Sequence, residues 1–116
     1  MERTEETLIA QLSFELAIDI IRYVDVLELG NKTLLAAQLF KTGTSICRHI
    51  RTAQKGESEQ EYVEGMNAAM SSVEETDYYL LLCQKSFSYP DPTNLIDKTI
   101  RIKKLLAKII STVKIR

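Results

Sequence analysis

Residues that interrupt helices are few in this chain, and they fall where long helices would have to end. Four glycines and two prolines occur in 116 residues. Gly30-Asn31, Gly56 and the run Ser88-Tyr89-Pro90-Asp91-Pro92 divide the sequence into four stretches. Each stretch is long enough for a helix of about 22 to 28 residues, or about 33 to 42 Å at 1.5 Å per residue. A β-sandwich needs turns far more often than this. Similar lengths and short links make sequence neighbours antiparallel. The expected fold is therefore all-α: one antiparallel, up-down-up-down four-helix bundle spanning residues 1–116.

The expected ends carry their own chemistry. The first helix is read from Thr4, a capping hydroxyl, to Leu29, with Glu5 and Glu6 at the positive end of the helix dipole. Gly30 is expected to take the left-handed conformation that closes it. The second helix is read from Lys32 to Lys55, with Asn31 as its cap. Ser58-Glu59-Gln60-Glu61 has the form of a capping box and opens the third, which continues to about Ser86. Asp91 and Pro92 read as the cap and first residue of the fourth, which ends near Val113.

Apolar spacing supports these limits. Tyr62, Met66, Ala69, Val73, Thr76, Leu80 and Cys83 recur at three- and four-residue steps, as do Leu95, Thr99, Ile102, Leu106, Ile109 and Val113. Both are core stripes. From Phe14 to Leu29 the first helix differs: Glu15, Asp19, Arg22, Asp25 and Glu28 form one narrow polar stripe, and most of the rest is apolar. An outer bundle helix needs one buried face, and this one offers two. A second apolar face in water is rare for a monomer. Phe14, Ile18 and Tyr23 are therefore candidates for a homo-oligomer interface. The alternative is a helix enveloped by the chain termini.

Charge is segregated. Residues 1–30 carry net −5, 31–56 net +5, 57–96 net −7 and 97–116 net +6, for a total of −1. In an up-down bundle every adjacent pair of helices then carries opposite signs, which disfavours wrong topologies. This internal compensation accounts for the basic segments. Their other reading is phosphate binding, for which Arg48, Arg51, Lys55, Lys104 and Lys108 are the candidate nucleic-acid contacts. A pI of about 5.9 weighs against a dedicated nucleic-acid binder.

Signals for chemistry are absent. His49 is the one histidine. It stands in no nucleophile or metal-ligand pattern and reads as a partly buried core residue. Glu74, Glu75 and Asp77 point apart on a helix. Cys47 and Cys83 form no CxxC pair and read as buried thiols in a reducing setting. No cofactor, metal or catalytic residue is expected. The opening Met1-Glu2-Arg3-Thr4 has no signal-peptide character, and no apolar run reaches the roughly 18 residues of a membrane span. A cytoplasmic protein without membrane partners is expected.

One resemblance adds to this. Gln38-Leu39-Phe40-Lys41-Thr42-Gly43-Thr44-Ser45-Ile46-Cys47-Arg48-His49-Ile50-Arg51, with Glu61-Tyr62 and Glu75-Thr76-Asp77-Tyr78-Tyr79-Leu80, resembles the bacterial four-helix-bundle family of 23S rRNA-intervening sequence proteins. The resemblance implies a left-turning bundle assembled into a ring, typically a pentamer, with no established activity. A related accessory protein of diversity-generating retroelements forms basic rings that bind nucleic acid and a reverse transcriptase, which keeps RNA, or another protein, open as a partner. The chain departs from the family pattern at His49, where an Asn is expected, at Thr52, where a Glu is expected, and at Ser71-Ser72, where a Lys-Glu pair is expected. The remaining polar set, Ser45, Glu75 and Thr76 with His49 beside it, is expected to form a network between the second and third helices. In it Ser45 would face Glu75.

Overall fold

The computed structural model describes residues 3–115, with side chains over 4–113. Lys114 and Arg116, counted above among the bases of the last segment, lie outside those side chains. Four helices follow one another: α1 (Arg3–Leu29), α2 (Thr33–Gln54), α3 (Glu59–Lys85) and α4 (Thr93–Ile115). There is no strand among the described residues. Each helix packs on its sequence neighbours and α4 closes back on α1, so that α1 and α3, like α2 and α4, stand diagonally across the bundle. The result is the expected up-down-up-down bundle, 47 × 20 × 19 Å.

The links explain where the helices stop, and three expected roles move by a residue or so. The left-handed residue after α1 is Asn31, at φ 64°, and Gly30 has no positive φ. The Lys32 N–H reaches the Leu27 carbonyl at 2.8 Å and the Asn31 N–H reaches that of Glu28 at 3.0 Å. This pair of bonds is the Schellman motif. Asn31 therefore closes α1 instead of capping α2, whose N-cap position is Lys32 with no side-chain bond. Thr4 likewise lies inside α1, because Arg3 is already helical.

The capping box forms at α3: Ser58 Oγ accepts from the Glu61 N–H at 3.1 Å. Glu61 reaches back one residue further than expected, to the Glu57 N–H at 2.8 Å. At α4, Asp91 Oδ1 accepts from the Thr93 N–H at 3.0 Å and from the Thr93 hydroxyl at 2.6 Å. Those bonds hold its carboxyl below the usual range. Pro92 supplies the carbonyl for the first helical bond, from Ile96, so α4 starts one residue later than expected.

One core runs the length of the bundle, through Leu16, Ile20, Leu27, Leu39, Ile46, Met66, Leu80, Ile102, Leu106 and Ile109 among others. Both stripes read from the sequence are buried, apart from half-buried Tyr62. Tyr23 also belongs here. It is 8% exposed, and its hydroxyl donates to the Pro90 carbonyl at 2.6 Å. That bond ties α1 to the link before α4. Burial, with Cys83 beside it, raises the phenol well above its ordinary pKa.

The tightest seam lies between α2 and α3. A Cβ on Gly65 would sit 2.5 Å from Ala53 Cβ and 2.9 Å from its Cα. Backbone stands opposite, so no side chain can turn aside. We predict that Gly65→Ala lowers unfolding free energy by about 1–3 kcal/mol, the cost of overpacking. At Gly30 the nearest atoms stand at 3.6 Å and beyond and φ is not positive, so Gly30→Ala should be neutral or stabilising by about 0.4–1 kcal/mol. Urea denaturation of the two variants measures both.

Candidate functional site

Two surfaces bear on function: the polar contact between α2 and α3, and the outer edge shared by α1 and α2.

At the first, Ser45 and Thr76 are buried as expected. The partner of Ser45 is not Glu75. The Ser45 hydroxyl hydrogen-bonds the Ser72 hydroxyl at 2.8 Å and lies 2.8 Å from the Thr42 carbonyl oxygen. The Thr76 hydroxyl donates to the Ser72 carbonyl at 2.7 Å. Glu75 is exposed, and Ser72, three residues earlier, is the side chain of α3 that reaches Ser45. The contact is thus a small, uncharged knot of hydroxyls. Ser72, one of the departures from the family pattern, is half of it. Among the described residues no buried side-chain oxygen or nitrogen lacks a partner.

His49 lies one turn beyond Ser45 and is half-buried. Burial, then the charge of Arg48, lowers its pKa. No group of three His, Cys, Asp or Glu side chains able to hold a metal occurs among the described residues.

The second surface is larger. Tyr23 having turned inward, the outer apolar face of α1 consists of Phe14, Ala17, Ile18 and Ile21. Phe14 is 52% exposed, and Ile18 and Ile21 are 37% exposed. With Thr44, Cys47, Arg48, Arg51, Thr52 and Lys55 of α2 they line a groove of about 480 Å³. A second hollow continues it past Ile21 to Ala37 and Phe40. Gly43 brings the two helices this close: a Cβ there would meet the buried Ile20 side chain at 2.8 Å. The groove has an apolar floor and one basic wall, and the hollow that continues it is edged by Asp25 and Glu28.

The charges are spent unevenly. Lys108 Nζ pairs with Glu5 at 2.6 Å, and Lys98 pairs with Asp19, so α4 does compensate α1. No ion pair joins α2 to α3 among the described residues. Arg48, Arg51 and Lys55 are exposed with no acidic partner there. Lys104 is exposed on α4, diagonal to α2. The five candidate phosphate contacts therefore divide: three on the groove, two on the far side, one of those already paired. Sequence reasoning did not single out a third feature, the outer face of α3. There Tyr78 is 58% exposed and Leu81 and Leu82 are also exposed, one turn after exposed Glu74 and Glu75. A three- and four-residue apolar spacing outside the core stripe was the available signal.

The family model described as 23S rRNA-intervening sequence protein matches residues 5–108. Among solved structures, a crystal structure of a protein of unknown function from the S23 ribosomal protein family of Bacteroides thetaiotaomicron is similar, with a TM-score of 0.87 and 25% identity. The match covers 92% of this chain and 98% of that one. No curated protein matches the chain.

Two predictions follow from the hydroxyl knot and its neighbour. Ser45→Ala strands the Ser72 hydroxyl and should cost about 1–3 kcal/mol, whereas Ser45→Ala with Ser72→Ala should cost less than the sum of the single changes; Glu75→Leu, at an exposed position, should change stability little. A double-mutant cycle in urea reads this out. For His49, the folded value lies below the unfolded one, so the unfolded chain binds the proton more readily. Its contribution is complete above about pH 6.5, the unfolded value, and is lost as pH falls toward the folded value. His49→Asn should remove that part of the pH dependence.

Proposed function

The chain belongs to the 23S rRNA-intervening sequence protein family, and from that premise and the two surfaces above we propose a non-enzymatic structural or interaction protein that works as a homo-oligomer, a ring of five being the form the family resemblance implies. The observation that carries the reading is the outer face of α1. Phe14, Ile18 and Ile21 line up on it, and the bundle leaves all three exposed. Fully burying side chains of this size is worth about 1.5–3 kcal/mol each. Subunit association is the means by which such a face leaves water.

A second reading has one observation in its favour. Arg48, Arg51 and Lys55 share one edge and have no acidic partner among the described residues, which suits the phosphates of RNA. In a ring, these edges would recur around the particle. Among the described residues no helix is long and apolar enough to cross a membrane, and a cytoplasmic location is part of the proposal.

Ile18→Glu should reduce the native mass to the 13.2 kDa of one chain while leaving far-ultraviolet circular dichroism unchanged. An unaltered native mass would remove α1 from the interface. For the second reading, gel shifts with structured RNA at about 50 mM salt should show binding that weakens steeply at about 200 mM and is lost in an Arg48→Ala, Arg51→Ala variant. Absence of binding at the lower salt rejects it.

A further inference from the structure

We infer that the basic, apolar groove between α1 and α2 receives the outer face of α3 from a second copy of this chain, so that subunits join head to tail. This rests on the self-association proposed above and names the two surfaces that meet.

Three observations lead to it. First, the apolar side chains that the bundle leaves exposed include two separate clusters on long helix faces, and the clusters differ. The groove holds Phe14, Ile18 and Ile21; the ridge on α3 holds Tyr78, Leu81 and Leu82. α3 stands diagonally across the bundle from α1, and the ridge lies on its outer face, so groove and ridge face different sides.

Second, their charges are opposite and unspent. Arg48, Arg51 and Lys55 edge the groove, and Glu74 and Glu75 precede the ridge. None of the five takes part in an ion pair among the described residues, although α1 and α4 compensate one another through Lys98–Asp19 and Lys108–Glu5. A two-fold contact through the groove would set these cations against their own copies and leave the ridge in water. A head-to-tail contact covers both surfaces and pairs the charges.

Third, the order of features matches. From the end of the bundle where α1 begins, the groove presents Lys55, Arg51 and Arg48, then Ile18, Ile21 and Phe40. α3 runs in the same direction as α1 and presents Glu74 and Glu75, then Tyr78, Leu81 and Leu82. Ser72 lies against Ser45 and Gly65 against Ala53, so Glu74 stands level with Gly43, and two copies lying parallel with an offset of about two helical turns bring acid to base and apolar to apolar together. A ring whose members all point the same way needs this sense.

Charge exchange tests the pairing. The groove variant Arg48→Glu, Arg51→Glu and the ridge variant Glu74→Lys, Glu75→Lys should each sediment as the single 13.2 kDa chain. Combining all four changes in one chain should restore the native mass of the unaltered protein. All the altered positions are exposed, and circular dichroism checks that each variant is folded. On the unaltered protein, zero-length carbodiimide coupling should join Lys55 to Glu74 or Glu75 between chains, read by mass spectrometry, independently of any variant. Either charge variant keeping full assembly, or the fourfold variant failing to reassemble, overturns the pairing but leaves self-association in place. If the unaltered protein is itself a monomer, self-association fails and the pairing with it. If the groove variant loses RNA binding but stays assembled, the pairing is overturned and the cations belong to RNA.

Discussion

Helix α2 lies closer to both of its neighbours than ordinary side chains allow, and much else depends on that. Gly43 admits Ile20 of α1 on one side, and Gly65 of α3 admits Ala53 on the other. Interiors are packed too densely for such contacts to be displaced cheaply. With α2 fixed against α3, Ser45 meets Ser72 and an uncharged hydroxyl knot takes the place of an ion pair. With α2 fixed against α1, the outer edges of the two helices form one groove, with an apolar floor from α1 and a basic wall from α2.

This packing also determines where charge is used. The net charges of the four segments alternate in sign, yet only the seam between α1 and α4 turns that alternation into ion pairs among the described residues. The seam between α2 and α3 is filled by small residues and hydroxyls, so its acids and bases point to solvent. Exposed pairs add little to stability, about 0–1 kcal/mol each. Charges left outside are instead available to direct association. The same bundle thus offers a neutral interior and two outward surfaces of opposite sign.

Much of the fold was legible because helix period and helix punctuation agree. The seven-residue stripe of α3 and the six-residue stripe of α4 were readable from spacing alone, and the capping box at Ser58 formed as its residue types demand. The misplacements were local. Gly30 and Asn31 both tolerate the end of a helix, and which one turns left-handed depends on where the last carbonyls find N–H partners. The site was harder to read. Tyr23 is amphipathic, and sequence cannot say that a carbonyl at Pro90 waits to accept its hydroxyl. Glu75 and Ser72 are three residues apart on one helix, and a modest rotation of α3 decides which faces Ser45. The ridge at Tyr78 was not legible because apolar residues on a solvent face are ordinary, and spacing alone does not mark which of them cluster.

Whether the bundle completes itself or leaves its outer surfaces to another copy is a question of mass. Sedimentation equilibrium of the unaltered protein across a dilution series answers it without any mutation. A particle of several times 13.2 kDa that persists at micromolar concentration is the expected result. A single 13.2 kDa species at every concentration would contradict it.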